Sequence, residues 1–183
     1  MEESLIKKLK RVNFIFKNQV ISTECIKNYR GFILFGKNFG PFEIGKKYRL
    51  SFFIAIDFIE QNILKIASSE KCDNKDVQRY AISERDDRRL KDWPDKFFLN
   101  RIMEFKRFTE KEINENQRPG IDLDRFKSYM ADIIDGRLTK LIKLSRTDLT
   151  LNDEKRLTAS EGYIYQKINS IINEWRKFFL NES

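Results

Sequence analysis

The chain has 183 residues, 40% of them hydrophobic and 35% charged, with a formal charge of +8 and no histidine. This composition belongs to a folded chain rather than a disordered one, and the length suits one sizeable core or one core with a small appended module. The missing histidine removes the commonest general base, the serine and cysteine triads and most transition-metal sites.

Other chemistries are excluded by pattern. Cys25 and Cys72 stand far apart with no C-x-x-C, so they do not make a closed zinc site and read as structural, reduced thiols. Neither G-x-x-x-x-G-K-[ST] nor G-x-G-x-x-G occurs. No cofactor and no catalytic constellation is therefore expected, and the chain does not read as an enzyme. No apolar run approaches the ~18 residues of a membrane helix. The N-terminal lysines are followed by an apolar run broken at Asn13 and Lys17, unlike a signal peptide. A cytoplasmic location is the default expectation. The positive charge suits nucleic acid or an acidic partner but selects neither, because carboxylates are interspersed almost throughout. The one tight basic cluster, Lys7, Lys8, Lys10 and Arg11, reads as a solvated face or as a contact for such a partner.

In chain order, Val12–Phe16 and Gln19–Thr23 read as strands joined by a Lys17-Asn18 turn, with Gly31–Phe35 as a third strand. Gly36-Lys37-Asn38 turns the chain, and Tyr48–Leu50 is a fourth strand. Ser51 is placed to cap the next helix, on which Phe52, Phe53, Ile56, Ile59, Ile63 and Leu64 follow helical spacing. Ser68–Asn74 is a polar break. Charged helical sequence then spans Asp76–Leu90, and Trp93-Pro94-Asp95 separates it from a helix over Asp95–Asn116. Pro119-Gly120 is a turn, and a further helix runs to about Leu144. Residues 145–157 are a connection with room for one short helical turn. Thr158-Ala159-Ser160-Glu161 matches the S/T-x-x-E capping box at the start of a last helix that ends near Leu180. The expected fold class is α+β: a small β-rich domain over residues 1–50, then a larger all-α domain over residues 51–183. The stretch from Gly40 to Ala67 is the expected junction.

Two helices carry more information. At about 100° per residue, Ile164, Tyr165, Ile168, Ile171, Ile172, Trp175, Phe178 and Phe179 fall within an arc of roughly 140°. One neighbouring layer needs only about 100°. The extra width implies either two neighbours, one of them from another chain, or a wide contact within this one. On the preceding helix Arg137 falls inside the apolar face. A buried guanidinium needs a carboxylate partner, within the fold or across an interface, unless its stem carries the charge to the rim. Gly136 beside it costs the helix about 1 kcal/mol relative to alanine, which close approach by another helix would explain.

Three pieces then give a resemblance. Gly40-Pro41-Phe42, Gly45 and Leu50-Ser51-Phe52-Phe53-Ile54-Ala55 resemble the G-P-F-x-x-G junction and Pro-Leu-Trp-Leu-Ala-like helix start of GINS subunits. Ser51 stands for the proline, and Phe53 stands for the tryptophan and fills the indole's site. Asp132-Ile133-Ile134-Asp135-Gly136-Arg137-Leu138-Thr139-Lys140-Leu141 is similar to the family's D-(I/x)-x-x-x-R-x-x-K-(L/I) helix. Leu149-Thr150-Leu151 before an aromatic-rich terminal helix is the third. Together they cover most of residues 10–180, although residues 68–90 match nothing in the family. The subunit class is the archaeal one that stands for the second and third Psf-type chains of eukaryotes.

The resemblance implies a non-catalytic scaffold in chromosomal DNA replication. Its partners would be a sister GINS subunit with reversed domain order in a hetero-tetramer, the MCM helicase, a RecJ-like protein and a link to primase. DNA would be contacted at most indirectly, and the location would be the nucleoid at replication forks. It also implies that Arg137, Lys140, Leu141, Ile168, Ile172, Trp175, Phe178 and Phe179 serve subunit docking, and that Gly40, Pro41, Phe42, Gly45, Ser51 and Phe53 form the domain junction. The alternative is a nucleic-acid-binding module that uses the basic N-terminal segment, with Phe14, Phe16 and Phe32 as a stacking surface. The other reading of those aromatics is the core of the small domain.

Overall fold

The computed structural model describes residues 3–70 and 72–180. Lys71, inside the expected polar break, lies outside the described residues. The protein is mixed, mostly helical with small antiparallel sheets in its N-terminal region, in agreement with the α+β expectation. Its contacts divide it into two units, residues 13–71 and residues 1–12 with 72–183. The break thus falls after about residue 70 rather than 50, and residues 3–12 go with the larger unit.

The smaller unit begins inside helix α1 (Leu5–Lys17). The strand expected over Val12–Phe16 is the last part of this helix. Val12 and Phe16, four apart, are both buried, whereas Phe14 and Ile15 are exposed, which is a helical and not an alternating pattern. Lys17 ends the helix, and Asn18 donates its amide back to the Phe14 carbonyl at 2.8 Å, so no hairpin turn forms there.

Strand β1 (Val20–Cys25) is the centre of a three-stranded antiparallel sheet in the order β4-β1-β5. Ile21, Thr23 and Cys25 alternate into the core. Strands β2 (Phe32–Leu34) and β3 (Lys37–Phe39) form a separate hairpin. Its loop is Phe35-Gly36, one residue earlier than expected, and Lys37 and Asn38 belong to β3. Just below, Gly31 and Gly40 face each other at φ +93° and +100°. A Cβ on Gly40 would lie 2.7 Å from the Gly31 Cα, so this approach excludes side chains. The Gly40-Pro41 bond is cis.

Strand β4 (Lys47–Ser51) runs directly into helix α2 (Phe52–Glu60). Ser51 occupies the N-cap position, but its hydroxyl accepts no capping hydrogen bond. It is still paired with Val20 in the ladder, and the Phe52 N–H is taken by the Gln19 carbonyl at 2.8 Å. Phe53 points to solvent rather than filling an indole's site. The helix ends before Ile63, and Leu64–Ile66 is strand β5, paired with Thr23–Cys25. The six expected junction residues therefore all lie within the smaller unit. Its core is aromatic: Phe58 meets Tyr29, Phe32 and Phe42, and Phe16 meets Phe52.

The larger unit holds α3 (Asn74–Asp86), α4 (Phe98–Asn114), α5 (Ile121–Leu144), α6 (Leu151–Arg156) and α7 (Ala159–Leu180). Asp73 and Asp76 form a reciprocal capping box at the start of α3. One apolar cluster joins Cys72, Val77, Ala81, Phe98, Ile102, Phe105, Phe126 and Ile133. A second joins Leu90, Leu141, Leu157 and Tyr165. Among the described residues, no helix is long and apolar enough to cross a membrane.

Candidate functional site

Two features of the larger unit stand out: a buried charge cluster, and an apolar helix face that folding leaves open.

The cluster is centred on Arg137, 1% exposed in the C-terminal half of α5. All five of its N–H donors find acceptors. Nε and one Nη2 hydrogen donate to the two carboxylate oxygens of Glu161, at 2.5 and 2.7 Å. The other Nη2 hydrogen goes to the Arg156 carbonyl at 2.8 Å. Nη1 serves Glu84 at 3.2 Å and the Lys91 carbonyl at 3.1 Å. The guanidinium also lies over the Trp93 ring, 4.7 Å from its centroid. Lys140, one turn along α5, donates to the carboxylate and the backbone carbonyl of Glu84. Two cations and two carboxylates thus balance, and the bidentate fork gives fixed geometry.

Glu161 has a second task. Its carboxylate accepts the Thr158 N–H at 2.8 Å while the Thr158 hydroxyl accepts the Glu161 N–H at 3.3 Å, which is the expected capping box. The residue that starts α7 therefore also clamps α7 to α5. Sequence reasoning found Arg137 and Glu161 separately and missed that they are partners. Glu84 was missed altogether, although Val77, Ala81 and Glu84 sit at i, i+4 and i+7 on the buried face of α3. Gly136 has the Glu84 Cγ, not another helix backbone, as its neighbour, at 3.7 Å from the position of a Cβ.

These contacts correct the expected docking surface. Arg137 and Leu141 are buried within this chain, and Lys140 is committed to Glu84, so none of the three lies free for a partner. They do dock helices, but within this one chain.

The remaining candidates lie on α7. Tyr165 is buried, and Ile168 and Ile172 are half-buried. Beyond them the stripe emerges: Ile171, Trp175 (63% exposed), Phe178 (77%) and Phe179 (61%) remain in solvent. The rings pack on one another, Trp175 with Phe179 at 5.1 Å and Phe178 with Phe179 at 5.0 Å. The helix is held by carbonyls just after α5. Tyr165, Asn169 and Arg176 donate to the carbonyls of Thr147, Ser145 and Arg146 at 2.9, 3.0 and 3.0 Å. On α5, Ile134, Leu138 and Ile142 form a second partly exposed row at four-residue spacing.

The proposed nucleic-acid surface is not assembled as expected. Phe16 is buried, Phe32 is stacked on Phe39 and Phe58, and Phe14 is exposed on a helix rather than a strand. Of the N-terminal cations, Arg11 pairs with Glu3 at 3.0 Å and Lys8 lies over Tyr163. Among the described residues no group of His, Cys, Asp and Glu is arranged to hold a metal ion. Compared with known proteins, the chain matches no family model and no curated relative.

Proposed function

We propose that this chain is a non-catalytic subunit of the GINS complex, a scaffold of the replicative helicase assembly. Its stable partner would be a sister subunit of reversed domain order, with the MCM helicase, a RecJ-like protein and primase bound through the finished complex. The observation that carries the reading is the aromatic end of α7. Three large rings stay exposed at the end of a helix whose earlier turns bury Glu161 and Tyr165 and are held through Tyr165 and Asn169. Apolar patches of this kind mark protein contacts, and Trp and Phe suit the centre of an interface. The resemblance around Asp132–Leu141 and the order of a β-rich unit before helices support the same assignment. A location at replication forks follows from it.

Light scattering tests it. The chain co-expressed with a sister subunit should give a stable hetero-oligomer of about four chains that survives about 0.5 M salt, where the Debye length is a few ångströms. The double variant Trp175→Ala, Phe179→Ala should lose the complex yet keep the fold of the single chain, because both rings are largely in solvent. A monomer indifferent to the sister subunit refutes the assignment, and an intact complex from the double variant refutes this surface.

A further inference from the structure

The loop of the β2-β3 hairpin holds an arrangement that the fold itself does not require. Leu34 pairs with Lys37, which leaves Phe35 and Gly36 as the two loop residues. Both have positive φ, +49° and +71°. This is the pattern of a type I′ turn, whose first position is normally Asn, Asp or Gly. A bulky residue there is a true outlier, and the left-handed region costs an L-residue stability. Phe35 gains nothing back by burial, being 95% exposed. Ile33, whose side chain points to the opposite face of the hairpin from the Phe32–Phe39 stack, is also in solvent. From Cys25 to Phe42 the segment carries Lys27, Arg30 and Lys37 and no carboxylate. All three cations are exposed.

We infer that Phe35 is a plug: the hairpin inserts this ring into an apolar pocket of a protein partner, and Arg30 and Lys37 meet acidic residues on the pocket's rim. Strained backbone persists where it serves function, and a single exposed aromatic knob is the form in which one side chain supplies much of an interface's energy. Three cations spread over eighteen residues do not make the continuous phosphate-tracking groove of a single-strand binder, and Ile33 beside the ring offers no stacking plane. An anionic rim around an apolar pocket matches the charge and the shape together. This inference is independent of the α7 surface.

The test places p-benzoylphenylalanine at position 35 of the full chain, expressed in its native host and irradiated. Crosslinks should concentrate on one protein, at an apolar residue with Asp or Glu nearby. Yield should fall at least about fivefold when Arg30 and Lys37 are reversed to Glu, roughly the loss of 1 kcal/mol of binding. The same photoprobe at Phe53, an exposed ring elsewhere on the same unit, should not mark that protein. Crosslinks to nucleic acid or lipid, crosslinks scattered over many proteins, no crosslink, or indifference to the charge reversal would each overturn the inference. A second measurement addresses the strain. Phe35→Asn should raise the melting temperature by about 2–4 °C while removing the partner, and a lowered melting temperature would show that Phe35 serves the fold instead.

Discussion

Arg137 and Glu161 meet through two parallel hydrogen bonds of 2.5 and 2.7 Å, although they stand 24 positions apart. The pair lies beneath a capping box, so one carboxylate both begins α7 and fastens it to α5. Removing it with Glu161→Ala should leave Arg137 buried without its main counter-charge and destabilise the larger unit by about 3–5 kcal/mol. Arg137→Met with Glu161→Gln should recover part of that loss. Glutamine still serves a capping box, and Lys140 still balances Glu84. Urea unfolding of the three proteins measures the difference. A double variant weaker than Glu161→Ala alone would show that the charge balance is not what stabilises the cluster.

Arg137→Lys tests the geometry rather than the charge. An ammonium cannot reproduce the fork that reaches Glu161, Glu84 and two carbonyls together, so a loss of about 2 kcal/mol or more is expected for the carbonyls and carboxylate oxygens left unpaired.

Gly136 lies beside the cluster, but a Cβ there would meet only the Glu84 Cγ at 3.7 Å, an ordinary contact. Gly136→Ala should therefore stabilise α5 by up to about 1 kcal/mol through helix propensity. Thermal unfolding decides the sign, and a lowered midpoint would show that the added methyl disturbs the Glu84 side chain and the cluster it belongs to.

Two glycines with positive φ should respond unequally to alanine. Gly45 has φ +80° and open space around it, so Gly45→Ala pays only the backbone cost of about 1 kcal/mol. Gly40→Ala adds a contact of 2.7 Å to the backbone of Gly31, which cannot move aside as a side chain would. It should destabilise the smaller unit severely, with loss of the dispersed amide spectrum of residues 13–70, while Gly45→Ala keeps it.

Burial pushes the Cys72 thiol from 9.0 up to about 12, and neighbouring Asp76 adds to the effect. In a Cys25→Ala background, a disulfide reagent at pH 8 should label the native protein slowly and the urea-unfolded protein at once. The raised value also has a linkage consequence. The unfolded chain releases this proton near pH 9 and the folded one only near 12, so this contribution to stability is complete below pH 9 and falls away as the pH rises toward 12. Rapid labelling of the native state would place the thiol in contact with solvent.

By itself the sequence determined the coarse fold class, helices with small antiparallel sheets, and most of the long helices. The capping box at Thr158–Glu161 and the apolar spacing of α4, α5 and α7 are local signals, set by the 3.6-residue turn of the backbone, and they appear where the spacing puts them. It also left Arg137 two outcomes, a carboxylate partner or a stem reaching the rim, and the structure shows the first, with Glu161 and Glu84. Tertiary structure decided the rest. Val12–Phe16 carries a pattern too short to separate strand from helix, and its helical form depends on burying Val12 and Phe16 together. Leu64 reads as a continuation of α2 until β1, about forty positions earlier, pairs with it. Glu84 looks like one more surface charge until α5 brings Arg137 and Lys140 against it. In each case the deciding partner is distant along the chain, and local periodicity holds no information about which distant residue will arrive.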